Sequence, residues 1–436
     1  MPSYDLIVAG AGIAGLHVAT SYLRKHPTHS VLVVERNRMI GGRVSTHHPA
    51  LNNTVYQFEA GAGRIPITHT RVIGLIKQYG LTFQPWHPPK ALVDPFPDLA
   101  AAYLPPLTGL DPAVLATNTL DTLLRSVYGK DVAESFIVQF PYWAEMRTLR
   151  ADVALEAFLQ GPLGEQSKGT EGPQGREAKG SRPAGPRWGG CAEGLSALTD
   201  RMGEDVKERG GVIKLRTSLV EVHWDEKKKG VAVCVHEKGE KEKEWLSGKK
   251  LVVALDAESL RHVKGLGSRL PVLRHLTTEP LLRVYAVFDT PRAKPWFNGL
   301  AKVVVPTPIR FFIPMDESKG VAMISYTEGR DAEHWMRMRD NRARERALMR
   351  ELRRTFPDKE IPDPLAIFFY GWEQGCTYWL PAPKGQEEAY DVEEASENSV
   401  QPFPGVPLYL CGESFAVQQS WMESALVQAD KVLRIL

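Results

Sequence analysis

The strongest motifs able to do chemistry lie at the two ends of the 436-residue chain. At the front, the apolar strand Leu6 to Ala9 runs into Gly10-Ala11-Gly12-Ile13-Ala14-Gly15, and a helical pattern follows. Such a turn brings backbone N–H groups and the positive end of a helix up to a pyrophosphate. Gly10 makes the tight turn, Gly12 lets the phosphate approach, and Gly15 lets the helix pack on the strand, with Ile13 and Ala14 opening the helix. Glu35 ends the next strand, VLVVE, about where a carboxylate accepts from a ribose hydroxyl, and Arg36 follows it. A lone GxGxxG is a weak signal. In the order strand, turn, helix, strand, Glu it predicts a dinucleotide site, with NAD and FAD both open on these residues alone.

The elements that must hold such a site fit a globular enzyme. At this length two domains are expected. Hydrophobic residues at 43% and charged residues at 24% are ordinary globular values, and a net charge of +2 gives no electrostatic case for nucleic acid or an anionic membrane. Cys191, Cys234, Cys376 and Cys411 are far apart, so neither a zinc site nor a disulfide framework is indicated, and a cytoplasmic setting is expected. Asp5 interrupts the first apolar stretch, which reads as a strand and not a signal peptide, and no run is long enough to span a membrane. Helical periodicity fills Pro112 to Leu159. Gly161 to Pro186 is rich in Gly, Pro and charge and reads as a flexible insertion. Thr68 or Thr70 is expected to cap a helix that Gly80 ends, and Asp331 to Phe356 reads as one long basic helix with a solvated face. Lys384 to Ser399 reads as an acidic surface excursion, and Lys227–Lys229 as a hairpin tip.

After Glu35 comes a second Gly-rich turn, Met39-Ile40-Gly41-Gly42-Arg43-Val44, then Glu59-Ala60-Gly61-Ala62-Gly63-Arg64. Far downstream, Trp188-Gly189-Gly190 opens a helix, Trp372 to Trp379 carries aromatics around Gly375, and the chain closes with Leu410-Cys411-Gly412-Glu413 and Ser420-Trp421-Met422-Glu423. In this combination the chain resembles the flavin-containing amine oxidases over nearly its whole length. The resemblance implies an α/β fold: a Rossmann-like FAD-binding domain from 1–80, 187–265 and 405–436, and a discontinuous mixed-sheet and helical substrate domain from 81–160 and 266–404. It implies FAD contacts at Gly10, Gly12, Ile13, Ala14, Gly15, Glu35, Arg36, Gly42, Arg43, Gly61, Ala62, Gly63, Arg64, Leu219, Gly412, Glu413, Trp421 and Met422, with Val220 the alternative to Leu219. Arg64 departs from the aromatic or polar residue that many family members carry.

Trp421 falls where these enzymes place an aromatic beside the substrate nitrogen, and Tyr378 or Trp379 is the candidate for a facing wall. Arg283 stands where many carry a lysine that holds a water near the flavin; an arginine stays charged and cannot act as a base, but it can order a water or bind a carboxylate. Cys376 lies near the cysteine that monoamine oxidases link to the flavin, although Thr377 replaces the expected aromatic, so non-covalent FAD is expected with a covalent link as the alternative. Glu59, Glu373 and Glu423 are the acids nearest these motifs, and His69 is either part of a helix start or a substrate-path residue. The expected function is an FAD-dependent oxidase that takes a hydride-equivalent from the α-carbon of an amine, with oxygen as acceptor. A desaturase or protoporphyrinogen-oxidase-like enzyme on the same scaffold, or a low-turnover FAD-binding structural protein, are the alternatives.

Overall fold

The computed structural model describes residues 1–86, 96–140, 142–159, 188–224, 230–290, 294–383 and 390–436. The 161–186 insertion, the Lys227–Lys229 tip and most of the proline-rich run from Pro85 to Phe96 lie outside the described residues. The chain divides into two compact units, one of Met1–Trp86, Pro186–Thr278 and Tyr390–Leu436, the other of His87–Gly185 and Glu279–Ala389. The first unit takes in 390–404, which the sequence placed in the substrate domain and, as far as Ser399, read as part of an acidic surface excursion. The reason is a helix, Val392–Val400, whose Val392 and Val400 are buried. Its Ser396 Oγ accepts from Gln428 Nε2 of the C-terminal helix at 2.6 Å, which ties the two helices together.

Five parallel strands make the central sheet of the first unit, in the order Val212–Lys214, Val31–Val34, Leu6–Ala9, Leu251–Val253 and Leu408–Leu410. The last four are buried at every residue, because a sheet covered on both faces selects continuous apolar runs over alternation. The helices Ile13–Lys25, Leu195–Glu208 and Met422–Ile435 contribute Leu16, Leu23, Leu198, Met202, Leu426 and Val432 to the same core. Arg216, at φ 55°, turns the chain out of this sheet into a second layer, where Thr217–Trp224, Val231–Glu237 and Glu244–Gly248 pair antiparallel.

Two helix starts in this unit are capped from a distance. In the Thr70–Gln78 helix neither Thr68 nor Thr70 is the cap: His69 holds that position without a side-chain bond. The N–H groups of Arg71 and Val72 donate instead to the Glu423 carboxylate at 3.1 and 3.0 Å. Likewise the Leu195–Glu208 helix begins after Gly194, and Leu195 N–H donates to Glu59 Oε1 at 2.9 Å. A carboxylate at a helix N-terminus satisfies orphan donors and opposes the positive end of the dipole.

In the second unit the sheet order is Val303–Val304, Phe311–Asp316, Val321–Glu328, Leu276–Val287 and Ala366–Trp379. Leu282, Val284 and Ala286 join a core with Phe312, Trp335, Leu348 and Leu352. The period of two therefore turns Arg283 and Tyr285 to the opposite face. The basic segment read as one helix is two, Gly329–Met336 and Asn341–Thr355. Asp340 starts the second by accepting from Ala343 N at 3.0 Å, which makes it a cap inside the predicted run. No described helix is long and apolar enough to cross a membrane.

Substituting Glu423→Ala removes the carboxylate that caps the Thr70–Gln78 helix. It should lower unfolding stability by about 1 kcal/mol in chemical denaturation, and Glu423→Gln, which keeps an acceptor oxygen, should recover part of that loss.

Candidate functional site

The turn of the first unit has the geometry that a dinucleotide needs. Gly10 sits at φ +102°, and a Cβ on it would lie 2.5 Å from the Ala254 carbonyl oxygen. On Gly15 a Cβ would lie 2.0 Å from the Gly10 carbonyl oxygen, so only glycine lets the helix rest on the turn. At Gly12, by contrast, a Cβ would meet nothing within 4 Å. The helix that starts at Ile13 has no side-chain cap and no acidic residue in its first turn, which leaves its positive end for a bound anion. Glu35 is buried beside it. Its Oε2 accepts from Ala11 N at 2.9 Å and its Oε1 from Asn37 N and Nδ2 at 2.9 and 2.8 Å, so the carboxylate is held by the turn it serves. Arg36 is exposed, with Nη1 donating to Ser259 Oγ at 3.0 Å.

The Gly41-Gly42-Arg43 turn docks directly on this one. Gly41 N donates to Ala11 O at 2.8 Å, and a Cβ on Gly42 (φ +58°) would touch Gly12 Cα at 3.4 Å. Arg43 then crosses 370 residues of sequence to donate from Nη1 to Glu413 Oε1 at 2.5 Å. Glu413 Oε2 accepts from Ser420 N at 2.9 Å, which holds Ser420 at φ 68° immediately before Trp421, the first residue of the C-terminal helix start. The Trp421 ring meets the His69 imidazole edge-on, centroids 5.0 Å apart, and lies 6.2 Å from Trp188, whose own ring carries the Arg64 guanidinium at 5.5 Å. Gly61 is buried, Ala62, Gly63 and Arg64 are half-buried, and Ala62 N donates to Arg43 O at 3.0 Å. Met422 is buried in the core of the unit.

Leu219 lies where the Thr217–Trp224 strand is bulged, and the Val220 carbonyl at the bulge accepts from Lys264 N at 3.0 Å. Glu59 and Glu423, the acids near the motifs, act as the helix caps described above.

In the second unit Arg283 is buried opposite Tyr326 in the antiparallel register, with its guanidinium 4.9 Å from that ring. Burial pulls its pKa down, the Tyr285 and Tyr326 hydroxyls beside it push it up, and the net direction is up. Tyr285 in turn packs edge-on against Tyr370 at 6.0 Å. These three tyrosines were missed from the sequence. Tyr285 was legible as the next residue on the face of Arg283, whereas Tyr326 depends on a register that a bulge between Val284 and Tyr285 shifts. Tyr378 is buried and its hydroxyl donates to Glu328 Oε2 at 3.1 Å; Trp379 has no accessible surface, and its carbonyl accepts from Arg150 N at 2.9 Å. Cys376 is half-buried on the same strand. Among the described residues no cluster of His, Cys, Asp and Glu could hold a metal ion.

His69 is 6% exposed, its Nδ1 has no hydrogen-bond partner, and burial lowers its pKa from 6.5 to about 4. It is therefore neutral in the folded protein at pH 7. Because the folded value is depressed, the unfolded chain takes up a proton first as pH falls below 6.5, and stability declines from there to about pH 4. His69→Phe, which keeps the edge contact, should abolish that part of the acid decline, worth roughly 3 kcal/mol at its limit, in denaturation curves taken across this range. Glu413→Ala should cost about 1–2 kcal/mol, below the full cost of breaking a wholly buried pair because Arg43 is 31% exposed. It should also reduce the dinucleotide cofactor retained through purification, read from the absorbance of the purified protein.

The open approach at Gly12, the uncapped helix start and the buried Glu35 fit the adenosine and pyrophosphate half of a dinucleotide, and comparison with known proteins points to a flavin one. A family model described as flavin containing amine oxidoreductase matches residues 13–103 and 110–432. An L-amino-acid oxidase of Echis ocellatus is 38% identical over 77 residues, and a flavin-dependent L-tryptophan oxidase of Lentzea aerocolonigenes is 43% identical over 77. Each match covers 18% of this chain and only 14% and 16% of those relatives. Among solved structures, cyclohexylamine oxidase from Brevibacterium oxydans aligns over 100% of this chain and 99% of its own with a TM-score of 0.72 at 18% identity. Putrescine oxidase bound to putrescine aligns over 99% of both chains with a TM-score of 0.69 at 16% identity. At those identities the likeness is one of fold. Together with the family match across most of its length, it places this chain in the flavin-containing amine oxidoreductase family, as an FAD-dependent oxidoreductase.

Proposed function

We propose that the protein is an oxidase acting on the carbon that bears the nitrogen of an amine, with molecular oxygen as the electron acceptor. The amine loses two electrons and two protons to become an imine, oxygen gains them to become hydrogen peroxide, and water then hydrolyses the imine to a carbonyl compound and ammonia or an amine. Bound FAD supplies the two-electron acceptor. The observation that carries the reading is the placement of Trp421: an indole at the start of the C-terminal helix, fixed by the Glu413-held Ser420 on one side and the neutral His69 on the other. A rigid aromatic face of this kind suits a neutral amine and needs no rearrangement to receive it. Gly10, Gly12, Gly15 and Glu35 would hold the adenosine and pyrophosphate, and Arg43 with Gly412–Glu413 the ribityl side.

The solved relatives that the fold matches are named for putrescine and cyclohexylamine, and the sequence relatives for amino acids. Arg283 gives a second reading its own support. A guanidinium that stays charged among phenols on the sheet of the second unit suits a substrate that carries a carboxylate as well as an amine.

A panel of alkyl amines, diamines and L-amino acids, followed by peroxide release in air and by flavin bleaching without oxygen, tests both. Oxidation of any amine with stoichiometric peroxide supports the proposal, and a flavin that no amine or amino acid reduces overturns it. If L-amino acids are the substrates, Arg283→Lys should raise KM at least tenfold with little change in kcat, about 1.4 kcal/mol of uniform binding.

A further inference from the structure

Away from these residues, the second unit encloses two carboxyl groups against each other. Glu145 in the Trp143–Arg147 helix and Glu328 at the end of the Val321–Glu328 strand are 9% and 4% exposed, and Glu328 Oε1 reaches the N–H of the residue before Glu145, which brings the two carboxyl groups into direct interaction. Glu328 already accepts twice, from Ala144 N at 2.9 Å on Oε1 and from the Tyr378 hydroxyl at 3.1 Å on Oε2. Glu145 Oε2, in contrast, is buried with no donor to receive. Two ionised carboxylates in this position would repel and leave uncompensated charge in a dry interior. A proton on Glu145 supplies the donor that the pair lacks.

The surroundings decide which member holds it. Burial raises the Glu328 carboxyl as well, but Ala144 N–H, the Tyr378 hydroxyl and the Arg310 guanidinium oppose that shift by favouring its negative form. Burial, followed by the charge of Glu328, disfavours the negative form of Glu145 and drives its pKa well above the ordinary carboxyl value. The other groups facing the pair do not change this order. Glu279 on the Leu276–Val287 strand is itself pushed up by burial and accepts from Thr148 Oγ1 at 2.9 Å. Arg310, just before the Phe311–Asp316 strand, donates to the Ile137 and Phe140 carbonyls and lies 3.9 Å from Asp331 on the Gly329–Met336 helix. Tyr378 approaches from the Ala366–Trp379 strand, with Cys376 beside it on that strand.

We propose that Glu145 and Glu328 share a single proton, held on Glu145, and that it clamps the Trp143–Arg147 helix to the ends of the Val321–Glu328 and Ala366–Trp379 strands. The clamp makes the second unit sensitive to alkali. Below pH 4.5 the Glu145 carboxyl is protonated whether the chain is folded or not, and the stabilisation is complete. As pH rises, the unfolded chain ionises first, so stability is lost from there up through the raised folded value. This inference does not depend on which substrate is oxidised.

Thermal unfolding of the flavin-loaded full chain tests it, comparing wild type with Glu145→Gln, whose amide can donate to Glu328 but cannot ionise. The unfolding midpoint of wild type should fall relative to that of Glu145→Gln by roughly 4 °C or more between about pH 5 and about pH 9. Profiles that stay parallel overturn the proposal. Should Glu145→Gln not fold, infrared spectra of wild type with isotope-labelled glutamate decide. A protonated carboxyl band persisting at neutral pH supports the shared proton, and its absence refutes it.

Discussion

The first unit depends on one ion pair. Arg43 follows the turn that docks on the dinucleotide turn, and Glu413 follows the last strand of the central sheet, so their contact at 2.5 Å closes the unit across almost the full length of the chain. Each partner has a second duty. The Arg43 carbonyl takes the Ala62 N–H and so positions the Gly61–Arg64 backbone, while the second oxygen of Glu413 takes the Ser420 N–H and so sets the angle at which Trp421 begins its helix. A residue other than glycine at φ 68° persists only where its surroundings hold it. Here the holding group is a carboxylate already fixed by an arginine, and this explains why three stretches of chain separated by long excursions assemble into one rigid cradle.

What was legible in the sequence was whatever depends on local spacing. Gly10, Gly12 and Gly15 have the three distinct environments that their positions imply: strained backbone, open space and close packing. The four apolar strands that make up most of the central sheet were readable because full burial imposes continuous hydrophobic runs. What escaped was whatever a distant partner decides. Thr68 and Thr70 are good capping residues by type, yet the helix is capped by Glu423, which arrives from the other end of the chain. Asp340 lies inside a run whose basic periodicity continues through it, and only its bond to Ala343 N shows that one helix has ended and another has begun. The acidic segment around Val392 looked solvated because its few apolar residues are spaced for one helix face, and that face is covered by the C-terminal helix.

The acids illustrate the same point in energetic form. A Glu beside a flavin motif suggests local negative charge near the substrate, but Glu59 and Glu423 are occupied by helix N-termini and Glu413 by Arg43. Their negative charge is met by backbone donors, the Thr46 hydroxyl and two guanidiniums, Arg43 on Glu413 and Arg71 on Glu423. The environment around Trp421 is then built from an indole, a neutral imidazole and a second indole.

The second unit faces the reverse problem, because it buries ionisable groups that cannot all be paired with opposite charge. It solves the problem twice, according to what each group can do with a proton. Arg283 cannot give one up, so the protein adapts around it: the side chain lies on the sheet face away from the helix-packed core, a tyrosine ring lies under the guanidinium, and phenolic oxygens raise its pKa. Glu145 can take one up, so the proton adapts instead, and a repulsive pair becomes a hydrogen bond that joins a helix to two strand ends. The cation is thereby kept charged at every pH the protein meets, and the carboxyl is kept neutral only up to a limit. The second unit therefore has a fixed electrostatic feature on one element and a titratable one on another, and of these two it is the second that couples its packing to pH.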